Sequence, residues 1–189
     1  MTKFDHFNLI GPIYDWLFGG RNHDKLLAWV NLEPQARLLD LGGGTGRISM
    51  QFSDGYSEII VADPAEKMLK EAHKKGLTTV NASAERLPFA NGVFDRIIMV
   101  DAFHHVADQQ QTMDEIWRTL APGGRLVIEE PDILHWFVKL IALAEKLLLM
   151  RSHFLKPQEI LAMGSYDDVE NAQIDWGKGI AWVIIDKIP

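Results

Sequence analysis

Residues Leu38 to Ser49 read LLDLGGGTGRIS, an apolar run that opens onto four glycines and then a helix-compatible stretch. Glycine is needed where backbone must turn sharply or come into contact with a ligand. A helix that starts beyond such a loop presents free N–H groups to a charged or polar group. The dinucleotide fingerprint GxGxxG or GxGxxA puts its final position on Arg47 when begun at Gly42 and Gly44, and on Ser49 when begun at Gly44 and Gly46. Neither register fits, so a nicotinamide or flavin site is disfavoured. The pattern that remains is acidic-x-Gly-x-Gly-x-Gly, filled by Asp40, Gly42, Gly44 and Gly46, with Gly43 between them. A second acid, Asp63, follows the next apolar run by way of Asp63-Pro64-Ala65-Glu66, which has the spacing of a helix capping box.

The elements that must position these residues alternate, strand then helix, which is the pattern of a parallel sheet covered on both faces. Strands are expected at Arg37–Leu41, Glu58–Ala62, Thr78–Ala82, Phe94–Val100 and Arg125–Glu129. Helices are expected at Thr45–Ser53, Ala65–Lys75 and Gln109–Leu120, the last closed by Pro122, Gly123 and Gly124. Lys67, Lys70, Lys74 and Lys75 would form the solvated face of the second. From Ile133 to Met150, fourteen of eighteen residues are apolar, but His135, Lys139, Glu145 and Lys146 interrupt the run within the length a bilayer span requires. It reads as a helix buried on most of its circumference, or as an apolar wall for a substrate, a dimer face or a membrane surface. Lys156–Met163 reads as a short helix, and Glu170–Trp176 with Ile180–Lys187 as a terminal β-hairpin around Gly177-Lys178-Gly179. The expected fold is therefore α/β: one Rossmann-like, doubly wound and mostly parallel sheet, with an antiparallel C-terminal hairpin strand at one edge. It divides into an N-terminal helical segment at 1–35, a core at 36–131 and a tail at 132–189.

Composition narrows the function. The chain has 189 residues, 47% of them hydrophobic, which suits a single domain with a sizeable core. A net charge of −7 opposes any broad grip on nucleic acid or anionic lipid. With no cysteine there is no disulfide, thiolate nucleophile or Cys-ligated zinc. The opening residues lack a signal-peptide pattern, and a cytoplasmic location is expected. His6, His23, His73, His135 and His153 have no spacing that suits a metal, and no metal site is expected.

Over roughly residues 4 to 131 the chain resembles the class I S-adenosylmethionine-dependent methyltransferases, and within them the ubiquinone/menaquinone-biosynthesis-like branch. Asp40-Leu41-Gly42-Gly43-Gly44-Thr45-Gly46 resembles motif I. Asp63-Pro64-Ala65-Glu66-Lys67-Met68-Leu69 is similar to DxSxxML, Ala84-Glu85-Arg86-Leu87-Pro88-Phe89 to AExLPF, and Leu120-Ala121-Pro122-Gly123-Gly124 to LKPGG. Asn91-Gly92-Val93-Phe94-Asp95 stands where DxSFD is usual, and Ala102-Phe103-His104-His105-Val106 resembles the short motif after the fourth strand. The resemblance implies that S-adenosyl-L-methionine is the cofactor and S-adenosyl-L-homocysteine the product, held by Asp40, Gly42, Gly43, Gly44, Gly46, Asp63, Pro64, Met68, Ser83, Ala84 and Asp101. Asp63 falls where the family chelates the ribose hydroxyls, and Asp101 near the methionine amino group. Ser83 stands where the family has an Asp that accepts from the adenine amino group; its hydroxyl, or the Ala84 backbone, would take that contact.

A sulfonium donor is already activated, so the protein's task is to align the acceptor and exclude water. Where the acceptor is a hydroxyl or an acidic carbon a base helps, and a histidine suits it. His104 and His105 follow the fourth strand, at the carboxyl edge where open α/β sheets bind ligands; His105 is the preferred candidate, and either ring could instead pack against the next helix. Tyr14 matches a Tyr-Asp pair that in relatives folds over the cofactor. The expected partner is a small methyl acceptor, partly hydrophobic, with Trp136, Phe137 and Leu140 as its wall, and a homodimer through 133–150 is the further expectation. Asp101-Ala102-Phe103-His104 is not the Asn/Asp-Pro-Pro-Tyr/Phe motif of amino methyltransferases acting on nucleic acid or protein amides. The alternative function is a catalytically weak module that binds the cofactor as a sensor or partner subunit.

Overall fold

In the computed structural model, residues 23–52, 58–134, 138 and 153–189 are described. The apolar runs form strands whose successive residues enter opposite faces of one sheet. Leu38, Ile98, Val127 and Ile184 join one hydrophobic cluster, while their neighbours Leu39, Ile97, Leu126 and Ile185 join the other. Both faces are covered, which is why these strands read as continuous apolar runs rather than as alternations.

The parallel strands are β1 (Arg37–Leu41), β2 (Glu58–Asp63), β3 (Thr78–Asn81), β4 (Phe94–Val100) and β5 (Leu120–Pro131). The terminal hairpin forms as expected from β6 (Val169–Trp176) and β7 (Ile180–Lys187). The sheet runs β3-β2-β1-β4-β5-β7-β6, with β7 antiparallel to both β5 and β6. Strand order reverses between β1 and β4, so a crevice opens outside their carboxyl ends.

Four helices are described: α1 (Asp24–Val30), α2 (Glu66–Lys74), α3 (Gln109–Thr119) and α4 (Pro157–Met163). The Asp108 side chain accepts from Gln111 N at the start of α3. Helix α2 buries Leu69 and Ala72 and turns Lys70 and Lys74 outward into ion pairs with Glu66 and Glu71. Lys75 is exposed as expected of the solvated face, and its Nζ donates to the Thr45 carbonyl at 2.8 Å.

Three expectations need correction. The helix over Thr45–Ser53 is instead a short 3-10 turn at Ser49–Phe52, because the left-handed Gly46 (φ 70°) keeps the helical path from starting earlier. The breakers Pro122-Gly123-Gly124 do not precede the fifth strand but bulge inside it: Phe94 pairs with Leu120 and Arg96 with Arg125, so the intervening residues loop out. Ile133 and Leu134 lie in a turn rather than in the helix expected from residue 133. Of the remaining helix only Val138, which is buried, is described; Trp136, Phe137, Leu140 and the proposed dimer face lie outside the described residues, as do Tyr14 and most of the 1–35 segment. Among the described residues no helix is long and apolar enough to cross a membrane.

Candidate active site

The glycine loop leaves β1 at the strand-order reversal, held to β2 by a hydrogen bond from Gly42 N to the Ala62 carbonyl at 2.7 Å. Gly42, Gly44 and Gly46 all take left-handed backbone, at φ 73°, 54° and 70°, but for different reasons. A Cβ on Gly42 would lie 2.7 Å from Ala102 Cβ, one on Gly43 would lie 2.5 Å from the Asp40 carboxyl carbon, and one on Gly46 would collide with Leu77 Cδ1. These three permit close packing. Among the described residues, a Cβ on Gly44 would meet only Asp63 Oδ2, at 4.0 Å. Nothing else among them crowds Gly44, and a ligand in contact with its backbone would need that room. Gly46→Ala should accordingly lower the melting temperature, since overpacking costs about 1–3 kcal/mol with backbone strain added, while folded molecules keep their cofactor affinity; calorimetry beside a thermal melt separates the two.

Two acids flank this space. Asp63, at the end of β2, accepts from Gly44 N through Oδ2 (3.0 Å) and from Ala65 N through Oδ1 (2.7 Å). Burial raises its pKa and the two N–H donors oppose the rise. The capping box expected at Asp63–Glu66 does not form: α2 begins at Glu66 with Ala65 as its N-cap and no side-chain cap, because Asp63 is spent on the loop and the turn. Pro64 is exposed and Met68 is half-buried in the first turn of α2. Asp40, on β1, is buried; its Oδ2 accepts from Ser49 Oγ at 2.6 Å, and its Oδ1 has no hydrogen-bond partner among the described residues. Burial, with the Asp63 charge adding to it, pushes its pKa up to about 6. A buried, reluctant carboxylate with a spare acceptor oxygen suits a cationic or hydrogen-bond-donating ligand. The cradle at Gly44, Asp63 with one bond already on each oxygen, and Asp40 together fit the polar, partly cationic groups of an adenosyl sulfonium donor.

The β4 carboxyl end supplies the opposite wall. Asp101 takes a left-handed conformation (φ 52°) and donates its N–H to the Glu129 carbonyl at 2.9 Å. Phe103–His105 then form a 3-10 turn. His104 is buried, with Nδ1 2.5 Å from Glu130 Oε2 and its ring stacked on Phe154 at 4.3 Å. His105 is exposed, its ring 3.9 Å from that of His104. Partial desolvation of the imidazole, with the neighbouring His104 adding to it, pushes its pKa below the ordinary histidine value. His104 is thus the buried and tightly held histidine of the two, and His105, preferred from sequence, is the exposed one.

Glu130 was not singled out by sequence reading. It is buried at the end of β5, where Oε1 accepts from Ala102 N (3.0 Å) and Phe103 N (2.8 Å) while Oε2 faces His104. Its neighbour Glu129, also buried, accepts from Trp182 Nε1 at 2.7 Å. The signal was present in RLVIEEP: two adjacent acids closing a strand apolar on both faces are too costly to bury without dedicated partners.

Ser83 and Ala84 lie in the turn after β3. Ser83 Oγ donates to Glu85 Oε2, and Glu85 Oε1 accepts from Ala107 N at 2.8 Å. Burial works to raise the Glu85 pKa, but these hydrogen bonds outweigh it and hold the carboxyl below its ordinary value. The Ser83 proton is thereby committed to Glu85, which leaves the hydroxyl oxygen as an acceptor.

A methyltransferase domain family model matches residues 39–128. The chain is 34% identical over 139 residues to the demethylmenaquinone methyltransferase of Thermus thermophilus, covering 66% of this chain and 63% of that protein. It is 34% identical over 117 residues to the ubiquinone/menaquinone biosynthesis C-methyltransferase UbiE of a Ruegeria species, covering 57% and 47%. The chain thus spans about half to two-thirds of the length of these curated relatives. Among solved structures, an S-adenosylmethionine-dependent methyltransferase of Thermotoga maritima superposes with a TM-score of 0.79 at 21% identity over 97% of this chain and 98% of that one. The [4+2]-cyclase SpnF superposes at 0.74 with 13% identity over 96% and 93%, so the fold alone does not fix the chemistry. The motif I loop, the sheet order and the matched relatives together place the chain in the class I S-adenosylmethionine-dependent methyltransferases, on the UbiE-like branch.

Proposed function

We propose that this protein transfers a methyl group from S-adenosylmethionine to a small, partly hydrophobic molecule by in-line displacement. The observation that carries this reading is the open cradle at Gly44, bounded by Asp63 Oδ2 and set where the strand order reverses. The bound donor supplies an electrophilic methyl on a sulfonium. Asp63 would hold the ribose hydroxyls through lone pairs beyond the two that accept backbone N–H groups. Asp40 would take the cationic methionine end together with Asp101, and the Ser83 oxygen would accept from the adenine edge. Positioning of this kind supplies roughly 7–11 kcal/mol without a catalytic side chain.

The named relatives act in quinone biosynthesis, which favours an aromatic hydroxylated acceptor for this chain. The sequence supports an apolar site with Trp136, Phe137 and Leu140 in its wall, and Tyr14 closing over it. Nothing in the described residues favours the binding-only alternative.

Gly44→Val tests the reading. A branched side chain there would fill the cradle and take a strained left-handed backbone, at about 1–3 kcal/mol. Calorimetry should show S-adenosylhomocysteine binding to the parent and none to a folded variant. Equal affinity in both would move the site elsewhere.

A further inference from the structure

We propose that Glu85 is a positioning residue that turns the Ser83 hydroxyl into an acceptor for the 6-amino group of adenine, so that the cofactor site selects an aminopurine. This rests on the methyltransferase reading and assigns a specificity to that same site. Ser83 Oγ donates to Glu85 Oε2, and an ionised carboxylate can only accept, so the hydroxyl proton lies on the Glu85 side. What Ser83 then offers a ligand is lone pairs. The residue is exposed, so a ligand can approach it.

Its place in the sheet sets which part of the ligand it meets. Asp63 on β2 pairs with Asn81 on β3, and Ala82 N donates to the Asp63 carbonyl at 3.3 Å. Ser83 therefore stands one strand outward from Asp63, a spacing of about 4.8 Å, and two residues beyond Asn81 toward the carboxyl edge. Gly44 N bonds Asp63 on the opposite, inner side. With the ribose hydroxyls on Asp63, the base attached to that ribose runs outward over the end of β3, to Ser83.

Glu85 is half-buried and held from both sides. Its Oε1 accepts from Ala107 N at 2.8 Å and from Asp108 N at 3.4 Å, at the start of α3. The backbone beyond it is tied to the same helix: Leu87 N donates to Glu115 Oε2 at 2.7 Å, and Arg118 donates to the Leu87 and Phe89 carbonyls. Ala84 and Leu87 are buried in the cluster that holds Leu41 and Ala62. A carboxylate with both oxygens engaged keeps one orientation, and the hydroxyl bonded to it keeps one too. The negative charge that Ser83 lacks thus reaches the base edge through one hydrogen bond and polarises the accepting oxygen. A hydroxyl free to rotate would donate as readily as accept, and would not discriminate.

Glu85→Gln separates this role from a clamp between two turns. The amide oxygen can keep the Ala107 bond, while the NH₂ donates to Ser83 Oγ and frees the hydroxyl proton. That proton can then go to a ring nitrogen of the base, which is present with or without the amino group. Calorimetry on the full chain would compare S-adenosylhomocysteine with its analogue lacking the 6-amino group. The parent should bind the first more tightly by about tenfold or more, as expected when an acceptor is left without its donor. In Glu85→Gln the ratio should fall to within about threefold, chiefly through weaker S-adenosylhomocysteine binding. Ser83→Ala should collapse the ratio in the same way, and adding Glu85→Gln to it should change the ratio no further. A ratio unchanged in Glu85→Gln, or a parent that binds both ligands equally, would overturn the proposal and leave the methyltransferase reading standing. So would an early melt with both affinities lowered in equal measure, which is what a clamp alone predicts. A parent that bound neither ligand would overturn the methyltransferase reading, and the proposal with it.

Discussion

Asp63→Ala is expected to lower S-adenosylhomocysteine affinity by about 100-fold or more. A hydrogen bond to a charged group contributes about 1.5–3 kcal/mol, and the carboxylate would offer two to the ribose. The free protein also loses something, because Asp63 accepts from Gly44 N and Ala65 N. A lower melting temperature should therefore accompany the loss, at about 1 kcal/mol for each neutral N–H left without its acceptor. Asp63→Asn sharpens the comparison. Its amide oxygen can keep one backbone bond, so it should recover much of the stability and little of the affinity. If Asp63→Ala melted early yet bound as tightly as the parent, the residue's role would be confined to the loop.

The second large effect has the opposite sign on stability. Folding raises the Asp40 pKa to about 6 from an ordinary 3.8, so between those values the folded chain holds a proton that the unfolded chain has released. Stability then falls as pH rises through that window, and above it the ionised, buried carboxylate costs about 2–3 kcal/mol. Asp63 is shifted in the same direction. Asp40→Asn removes this cost at pH 8 but leaves an amide N–H in place of the oxygen without a partner, which returns part of it. The melting temperature of the variant relative to the parent should therefore climb from pH 4 to pH 8, by several degrees for a chain of this size. Donor affinity should drop about tenfold or more, as one charged hydrogen bond is lost. A melting difference independent of pH would show that Asp40 is not the titrating group. A residue whose removal stabilises the protein and disables binding is what a functional site held at a cost to the fold would contain.

Spacing made the sheet legible because burial on both faces leaves little freedom: Leu38-Leu39 and Ile97-Ile98 could be nothing but central strand once glycine and an acid followed them. The terminal hairpin was legible for a similar reason, since Gly177-Lys178-Gly179 separates two β-rich runs. The helix after the glycine loop was not, because Gly46 was read as a ligand contact when its left-handed backbone and its packing on Leu77 decide the local path. The capping-box spacing at Asp63–Glu66 did not become a cap, because spacing shows where a side chain sits along the chain but not that Gly44, 19 residues away, competes for the Asp63 oxygens. Glu130 escaped for the same reason: its partners are 26 to 28 residues distant, and only the pairing of β4 with β5 brings them together. His104 and His105 could not be told apart by residue type; burial against Phe154 separates them.

The position of β7 bears on how the chain is made. It lies between β5 and β6 in the sheet, although both precede it in sequence. During synthesis, therefore, β5 emerges with Leu126, Val127 and Ile128 and one full row of unpaired backbone groups. The strand that covers them, through pairs such as Arg125 with Asp186, comes about sixty residues later. At typical translation rates of about 5–20 residues per second, that edge is bare for several seconds or more. Long-range pairing of this sort is slow and open to aggregation. Chains released from the ribosome before residue 180 should accordingly be captured by holdase chaperones, whereas chains released after residue 187 should escape them.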